Sequence, residues 1–185
     1  MMKRIFDIIF AIFAILLLSP LFIVISILNK LTSEGPVFYR HERAGLNGKI
    51  FFVYKFRTMV SNADKVGPGL TEKGDPRITP FGNYLRRTSL DEIPQFFNVF
   101  KGEMSVVGPR PEIPGIVSGY SKFQQQVLNV KPGITGLPQI NGRADLSIPK
   151  KLRLDVFYVK HCSLWLDIKI IFKTIYIVIA QKGAF

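Results

Sequence analysis

The sequence predicts a helix-rich α/β protein that is anchored at a membrane surface. Three features of the 185-residue chain lead to this prediction. Residues 5–28 form an apolar stretch in which Asp7 is the only charge, Asn47-Gly48 separates two runs rich in β-formers, and several later segments have the apolar spacing of helices. The length suggests a single domain.

The apolar stretch could cross a bilayer, because as a straight helix it would be about 36 Å long against a hydrocarbon core of about 30 Å. Ser19-Pro20 lies within it. Proline removes a backbone hydrogen bond and kinks a helix, and the Ser19 hydroxyl can cap the freed carbonyl. Lys3 and Arg4 precede the stretch and Lys30 follows it, so the flanking charges favour no direction of crossing. A re-entrant helix-break-helix and a single span both remain open on these residues.

A small β-hairpin is predicted next, since residues 37–42 and 49–57 flank a turn that ends in Asn47-Gly48. In the second strand, Lys55 and Arg57 share one face and would place two cations side by side at the strand end. A solvated strand face is the alternative interpretation of these two residues.

An acid pair, Asp91-Glu92, follows the basic residues Arg86 and Arg87 in a chain of net charge +12. A carboxylate among cations keeps a low pKa and stays ionised. The pattern predicts that both carboxylates lie at a helix N-terminus, with Ser89 or Asp91 as the N-cap. An anion placed beside a phosphate site can bind a metal ion or attack phosphorus.

The remaining segments alternate loops and helices. The proline-rich residues 107–114 predict an extended loop that presents Arg110, and the glycine- and proline-rich residues 131–143 predict a ligand-binding loop that ends in Arg143. Helices are expected over residues 79–87, from the acid pair to 101, and over 120–130, 151–159 and 164–180. The last helix is apolar but carries three charges, so we expect it in the headgroup region, with a buried core helix as the alternative.

Composition narrows the possible partners. The strong positive charge indicates a nucleic acid, an anionic lipid or a phosphorylated substrate. The single cysteine, Cys162, excludes an internal disulfide and a thiolate zinc site, and the two histidines lack metal-ligand spacing.

Four separate segments offer cations to the acid pair, and a nucleotide-diphosphate substrate explains them economically because arginine binds phosphate oxygens bidentately. A carboxylate about 4 Å from a phosphate charge is repelled by roughly 4 kcal/mol at an effective dielectric constant of 20. A carboxylate nucleophile therefore needs these cations or Mg²⁺ in order to approach phosphorus. The membrane segment indicates a lipid as the second substrate.

Five blocks, in order, carry a family resemblance: KRIFDIIFAIFAILLLSP (3–20), YKFRTM (54–59), RRTSLDEIPQFFNVFKGEMSVVGPRP (86–111), KPGITGLPQINGR (131–143) and RLDVFYVKHCSLWLDIKIIFKT (153–174). On these blocks the chain resembles the bacterial sugar transferases, the monotopic polyprenol-phosphate phosphoglycosyl transferases, in their small single-domain form. Five long blocks are far more specific than one short motif.

The resemblance implies a ping-pong reaction in which Asp91 attacks the β-phosphorus of a UDP-sugar, releases UMP and passes the sugar phosphate to undecaprenyl phosphate. It implies that Asp91 and Glu92 hold Mg²⁺. The residues expected to bind substrate are Lys55, Arg57, Arg86, Arg110, Pro111, Gln139 and Arg143. Because Pro138 departs from the family pattern, the contact from Gln139 is the least secure of these.

The resemblance also implies a re-entrant membrane hairpin over residues 1–30, bent at Ser19-Pro20, and a catalytic domain over residues 31–185. The catalytic domain would lie on the cytoplasmic face of the bacterial inner membrane, in contact with membrane lipid, and no nucleic acid would be bound. The oligomeric state stays open, with a dimer among the options. Two rival functions are a membrane-tethered polyanion-binding protein without catalysis and a lipid-diphosphate phosphatase. The sequence names neither the sugar nor the glycan pathway.

Overall fold

The computed structural model describes residues 1–66, 74–142 and 145–180 and has the predicted helix-rich α/β architecture. The helices are α1 (Met2–Thr32), α2 (Ala63–Val66), α3 (Pro80–Thr88), α4 (Gln95–Lys101), α5 (Pro114–Val117), α6 (Lys122–Gln125), α7 (Leu137–Ile140), α8 (Ile148–His161) and α9 (Leu164–Ile179). The strands are β1 (Phe38–Ala44), β2 (Ile50–Phe56), β3 (Ser105–Val107) and β4 (Gly133–Thr135). Short 3-10 turns cover Leu46–Gly48, Leu90–Glu92 and Gln126–Asn129.

Two small sheets organise the chain. Strands β1 and β2 form the predicted antiparallel hairpin, and its turn uses positive φ values at Asn47 (55°) and Gly48 (75°), a conformation that asparagine and glycine tolerate well. Strands β3 and β4 pair in parallel, with Ser105 opposite Gly133. This second sheet, which packs against α1 and α9, was not predicted because its strands are only three residues long.

Three apolar clusters form the core. The largest joins α1, β2, α4, β3, α7, α8 and α9 around Val53, Val99 and Tyr158. A second lies between α8 and the segment of residues 117–128. The third, which we call the platform cluster, consists of Ile25, Phe56 and Leu85, with Leu21, Phe22, Val37, Phe81 and Leu90 packed against it. The platform cluster connects the second half of α1 to β2 and α3.

Helix α1 runs without interruption through Pro20, so the expected break between two helices is wrong at the level of secondary structure. Proline leaves the carbonyl four residues earlier, that of Leu16, without its usual N–H donor. The Ser19 hydroxyl donates to the Leu16 carbonyl oxygen at 2.8 Å, as expected for its capping role. This contact compensates for the missing bond and allows the helix to continue.

Helix α1 is long and apolar enough to cross a membrane, with a mean hydropathy of 3.1 over its most apolar window, of which only 17% is buried. Its large exposed side chains include Ile9, Phe13, Leu16, Leu17 and Ile27. Such a continuous apolar surface on an otherwise strongly basic protein indicates contact with lipid.

The first turns of α1 are fixed to the core by charged groups. Lys3 Nζ donates to Asp167 Oδ2 at 2.5 Å and to the Val107 carbonyl oxygen at 3.1 Å. Tyr158 donates to the other oxygen, Asp167 Oδ1, at 2.6 Å. Asp7, the lone charge of the apolar stretch, accepts bonds from the Ser105 hydroxyl and the Val106 amide. The buried Asp7 carboxylate is therefore hydrogen-bonded, and the Lys3 ammonium is paired with a buried acid, which lowers the cost of burying each carboxylate.

The other predicted helices differ mainly in length. The expected helix over 120–130 is divided into α6 and a 3-10 turn, whereas α8 is longer than predicted. Helix α9 has features of both a buried core helix and a helix exposed at a membrane surface. Asp167, Ile170 and Ile171 are buried, and Trp165, Phe172 and Tyr176 on its other side are exposed.

Candidate active site

The acid pair lies in the 3-10 turn between α3 and α4. Ser89 ends α3 with a left-handed φ of 59°, and α4 begins only at Gln95, after Pro94. The prediction that Ser89 or Asp91 caps an α-helix through its side chain is therefore wrong, since no side-chain capping bond is made there. Pro94, which fixes its own φ and lacks an N–H, favours this compact turn over an early helix start.

Glu92 is held by two cations on one oxygen. Lys55 Nζ donates to Glu92 Oε1 at 2.6 Å, and Arg110 Nη2 donates to the same oxygen at 3.0 Å. Burial alone would raise the pKa of Glu92, but the charges of Lys55 and Arg110 outweigh it and hold that pKa well below its usual range. Glu92 is thus a permanent anion at physiological pH, and its second oxygen, Oε2, has no hydrogen-bond donor among the described residues.

Asp91 differs from its neighbour. It is 8% exposed, and within the described ranges no hydrogen-bond donor contacts its carboxylate. The low pKa expected for a carboxylate among cations is wrong for Asp91, because burial, with the Glu92 charge, raises the pKa of Asp91 to about 6, against the lowering effect of Lys55, Arg86 and Arg110. The two adjacent carboxylates therefore have separate properties: Glu92 is neutralised by direct partners, and Asp91 keeps unshared oxygens in a cationic surrounding.

Arg110 is presented by a rigid loop, as predicted. Gly108 donates to the Thr135 carbonyl at 2.9 Å, and Gly133 donates to the Pro109 carbonyl at 2.8 Å. On the other side of the loop, Arg43 Nη1 donates to the Pro111 carbonyl at 3.3 Å. Pro111 thus acts here through its backbone. The Arg110 side chain remains 49% exposed, so it can contact Glu92 and a ligand from one position.

Arg86 also lies near the pair. Its Nε donates to the Thr58 hydroxyl at 2.9 Å, which fixes the guanidinium, and its charge acts on Asp91. Lys55, Arg86 and Arg110 therefore form the cationic surrounding that the sequence predicted for the carboxylates.

Two other predicted site residues, Arg57 and Gln139, are not brought to the carboxylates. Arg57 turns away from Lys55 and donates to the end of α1, at the Asn29 and Ser33 carbonyls. The side-chain amide of Gln139 is buried without a hydrogen-bond partner in the described part of the chain, and its Oε1 lies close to Gly136. Arg143 falls outside the described residues.

The structure adds a buried acid that the sequence analysis missed. Asp155 on α8 is 6% exposed, and burial together with the Glu112 charge raises its pKa to about 8, while Arg110 opposes this effect. Its position one turn from Leu152 and beside Val156, both buried, was the available signal: a charge on the apolar face of a helix. Asp155 brings a second, protonatable carboxyl into the surroundings of the Arg110 loop.

The arrangement places an acid pair and three cations on a protein whose first helix is long, apolar and largely exposed. Residues 1–181 match the family described as bacterial sugar transferase, and the chain belongs to this family. The family predicted from the sequence blocks is confirmed, and with it the classification as a transferase.

Similar proteins are known from several bacteria. The undecaprenyl-phosphate galactose phosphotransferase of Salmonella typhimurium is 42% identical over 200 residues, which cover 100% of this chain and 42% of that protein. The exopolysaccharide production protein ExoY of Rhizobium meliloti is 42% identical over 100% of this chain and 88% of ExoY. The UDP-glucose:undecaprenyl-phosphate glucose-1-phosphate transferase of Klebsiella pneumoniae is 45% identical over 99% of this chain and 41% of that protein. The chain thus spans less than half of the Salmonella and Klebsiella proteins and most of ExoY.

Proposed function

We propose that this chain transfers a sugar phosphate from a UDP-sugar to undecaprenyl phosphate and releases UMP, through a covalent intermediate on Asp91. The unequal environments of the two carboxylates are the main support. Glu92 is engaged by Lys55 and Arg110, whereas Asp91 has unshared oxygens next to three cations. The names of the similar proteins support the two substrates, an undecaprenyl phosphate and a UDP-sugar.

In the first half-reaction, an Asp91 carboxylate oxygen forms a bond to the β-phosphorus of the donor. The bond between that phosphorus and the oxygen bridging to the α-phosphate breaks, and the electron pair leaves with UMP. In the second half-reaction, a phosphate oxygen of the polyprenol phosphate attacks the same phosphorus and Asp91 leaves as a carboxylate. Both nucleophiles are anions, so neither step requires a proton to be removed.

The cations around the pair suit this chemistry. A diphosphate and a carboxylate repel each other, and fixed guanidinium and ammonium groups reduce that repulsion where charge develops. Arg110 is half-exposed and can bind phosphate oxygens bidentately, and Arg86 is held close to Asp91 by its bond to Thr58. The Lys55 ammonium neutralises the charge of Glu92, and this lowers the repulsion between the Glu92 and Asp91 carboxylates.

Mg²⁺ fits the residues present. Mg²⁺ is commonly bound by one or two carboxylates, with substrate phosphates and water completing its coordination. Asp91 and Glu92 Oε2 offer such oxygens, and no group of three or more His, Cys, Asp or Glu side chains that could hold a metal occurs in the described ranges. When bound, Mg²⁺ would supply charge neutralisation on the donor diphosphate.

The proposed topology is re-entrant, with the catalytic domain on the cytoplasmic face of the inner membrane. Helix α1, at 31 residues, is about 46 Å long. Its first end contacts Asp167 and Val107, and its last turns contact Arg57, so both ends are attached to the same globular body. A helix that crossed the bilayer would place these two sets of contacts on opposite sides of the hydrocarbon core, so their attachment to one globular body argues for entry and exit on the same face.

The function is tested with the full chain in nanodiscs and a panel of UDP-sugars. We expect UMP release that depends on Mg²⁺ and polyprenol phosphate, and its loss in Asp91→Asn. Protein quenched with donor alone should carry a sugar-phosphate adduct on Asp91 by mass spectrometry, and Asp145→Asn is the matched control that retains the adduct. An active preparation that never yields the adduct contradicts the covalent route, and release of inorganic phosphate without any nucleotide indicates a phosphatase instead.

A further inference from the structure

The second half of α1 packs against the elements that carry the two carboxylates, Lys55 and Arg86. It contributes Ile25 to the platform cluster, and β2, α3 and the 3-10 turn of the acid pair each contribute a further member. Three of these members each adjoin a proposed site residue in the sequence: Phe56 adjoins Lys55, Leu85 adjoins Arg86, and Leu90 adjoins Asp91. A shift of α1 against the platform cluster would therefore move the residues of the site.

A set of polar contacts, which we call the α1–β2 clasp, fastens the same two elements. It consists of Asn29, Ser33 and Arg57. Arg57 Nη2 donates to the Asn29 carbonyl at 3.0 Å, to the Ser33 carbonyl at 2.7 Å and to the Ser33 hydroxyl at 2.8 Å. In return, the Asn29 side-chain amide donates to the Arg57 carbonyl at 3.0 Å. The clasp thus binds the side chain and the backbone of Arg57 to the end of α1.

The clasp depends on one nitrogen of a buried guanidinium. Arg57 is 5% exposed, and its Nε and Nη1 have no hydrogen-bond partner among the residues described. Burying a cation is costly unless it is hydrogen-bonded, and the final carbonyls of a helix are its favoured partners. Nη2 carries two hydrogens for these three acceptors, so at least one of its hydrogen bonds is shared. A lysine at this position keeps the cation but has to bring its ammonium to the same place on a different stem.

Arg57 lies two residues after Lys55, which donates to Glu92 at 2.6 Å. We propose that Arg57 is a positioning residue whose clasp holds the end of β2 against the membrane helix and thereby places Lys55 at Glu92. The seating of α1 in lipid then sets the geometry of the carboxylate site. This inference depends on the proposed function only for its kinetic consequences, and it replaces the expected role of Arg57 as a phosphate ligand.

The test compares Arg57→Gln and Arg57→Lys with the unmodified chain in nanodiscs. In Arg57→Gln we expect kcat for UMP release to fall about tenfold or more, the scale of losing a charged donor's hydrogen bonds, with the KM for UDP-sugar within about twofold. Hydrogen–deuterium exchange should accelerate at the end of β2 and in the last turn of α1. Arg57→Lys should recover only part of kcat. Arg40→Gln, which removes an exposed cation from β1 of the same hairpin, is the matched control and should change neither measurement.

Ser33→Ala provides a milder variant that removes only the hydroxyl, which accepts from Arg57 Nη2 and donates to the Asn29 carbonyl at 3.3 Å. We expect a loss of kcat of about twofold to fourfold, and no further loss when it is combined with Arg57→Gln, because both changes act on the same contact. Additive losses of kcat in the double variant would overturn the inference. So would a raised KM for UDP-sugar in Arg57→Gln with unchanged kcat and unchanged hydrogen exchange, which would indicate that Arg57 binds the UDP-sugar directly. If the unmodified chain releases no UMP from any donor, the proposed function fails, and the exchange measurements alone then decide whether the clasp exists.

Discussion

Two lysine–carboxylate pairs lie at opposite ends of the route from membrane helix to active site, and they have almost the same length. Lys3 to Asp167 measures 2.5 Å and Lys55 to Glu92 measures 2.6 Å. They differ in what else contacts the acid. Both oxygens of Asp167 have donors, Lys3 on one and Tyr158 on the other, and its side chain is fully buried. Glu92 receives Lys55 and Arg110 on one oxygen only.

The two ion pairs have similar lengths, so length does not distinguish a structural pair from a functional one. The distinction lies in whether each carboxylate oxygen already has a hydrogen-bond donor. Each oxygen of Asp167 already has a donor and the side chain is fully buried, so a ligand cannot reach this carboxylate. The Glu92 pair has an oxygen to spare and lies next to Asp91, which has no donor in the described part of the chain. We expect substitutions at the first pair to reduce stability and substitutions at the second to reduce activity.

The largest expected effect is on the second pair. Lys55→Met removes one of the charges that neutralise the carboxylates, and we expect kcat for UMP release to fall by about 100-fold or more, as for other losses of preorganised charge in an active site. The melting temperature should change little, because Arg110 still pairs with Glu92. Steady-state kinetics and thermal unfolding in detergent measure the two quantities, and a large loss of stability would make this pair structural after all.

The opposite result is expected for the first pair. Lys3→Met leaves the Asp167 carboxylate buried without its cation, and we expect the free energy of unfolding to fall by about 3 kcal/mol. The folded protein should keep a kcat within about threefold of the original, since Lys3 contacts neither carboxylate of the turn. Chemical unfolding in detergent and kinetics on the purified folded fraction check this. A collapse of kcat at unchanged stability would remove the distinction between the pairs.

A smaller effect is expected from pH. The reaction needs ionised Asp91, whose pKa is raised to about 6 by burial and by Glu92. Because the raised pKa favours the protonated form, activity should be complete well above pH 6 and fall as pH decreases through it, to about one tenth at pH 5. Glu92, whose pKa lies below its usual range, stays ionised throughout this window. A pH profile of kcat/KM between pH 5 and 8 measures the change, and a flat profile would place the titrating group elsewhere.

The smallest effect concerns the second donor to Asp167. Tyr158→Phe removes hydroxyl bonds to Asp167 and to the Val107 carbonyl, and we expect a loss of about 1–3 kcal/mol in the free energy of unfolding. Lys3 still pairs with the acid in this variant, so the loss should be smaller than in Lys3→Met. If Tyr158→Phe lowers the free energy of unfolding as much as Lys3→Met does, the presence of a donor on each Asp167 oxygen does not explain the stability of this pair.

Features that depend on near neighbours could be predicted from the residues alone. The apolar spacing of residues 5–28 gave helix α1, Asn47-Gly48 gave the hairpin turn, and Ser19 was correctly expected to cap a carbonyl freed by Pro20. The grouping of cations around Asp91-Glu92 was also predicted. It followed from basic residues in several separate segments and from the resemblance to the bacterial sugar transferase family.

Which charges meet could be established only from the folded chain. Lys55 and Arg57 were equivalent in the sequence, yet one reaches Glu92, 37 residues away, and the other reaches the end of α1. Lys3 and Asp167 are separated by 164 residues, and no local pattern connects them. The physical reason is range: hydrophobic periodicity and turn chemistry act over a few residues, whereas ion pairing needs two side chains that packing has brought within about 4 Å. Packing in the platform cluster and in the largest core cluster brings these side chains together. The same packing gives Asp91 and Glu92 their unequal environments.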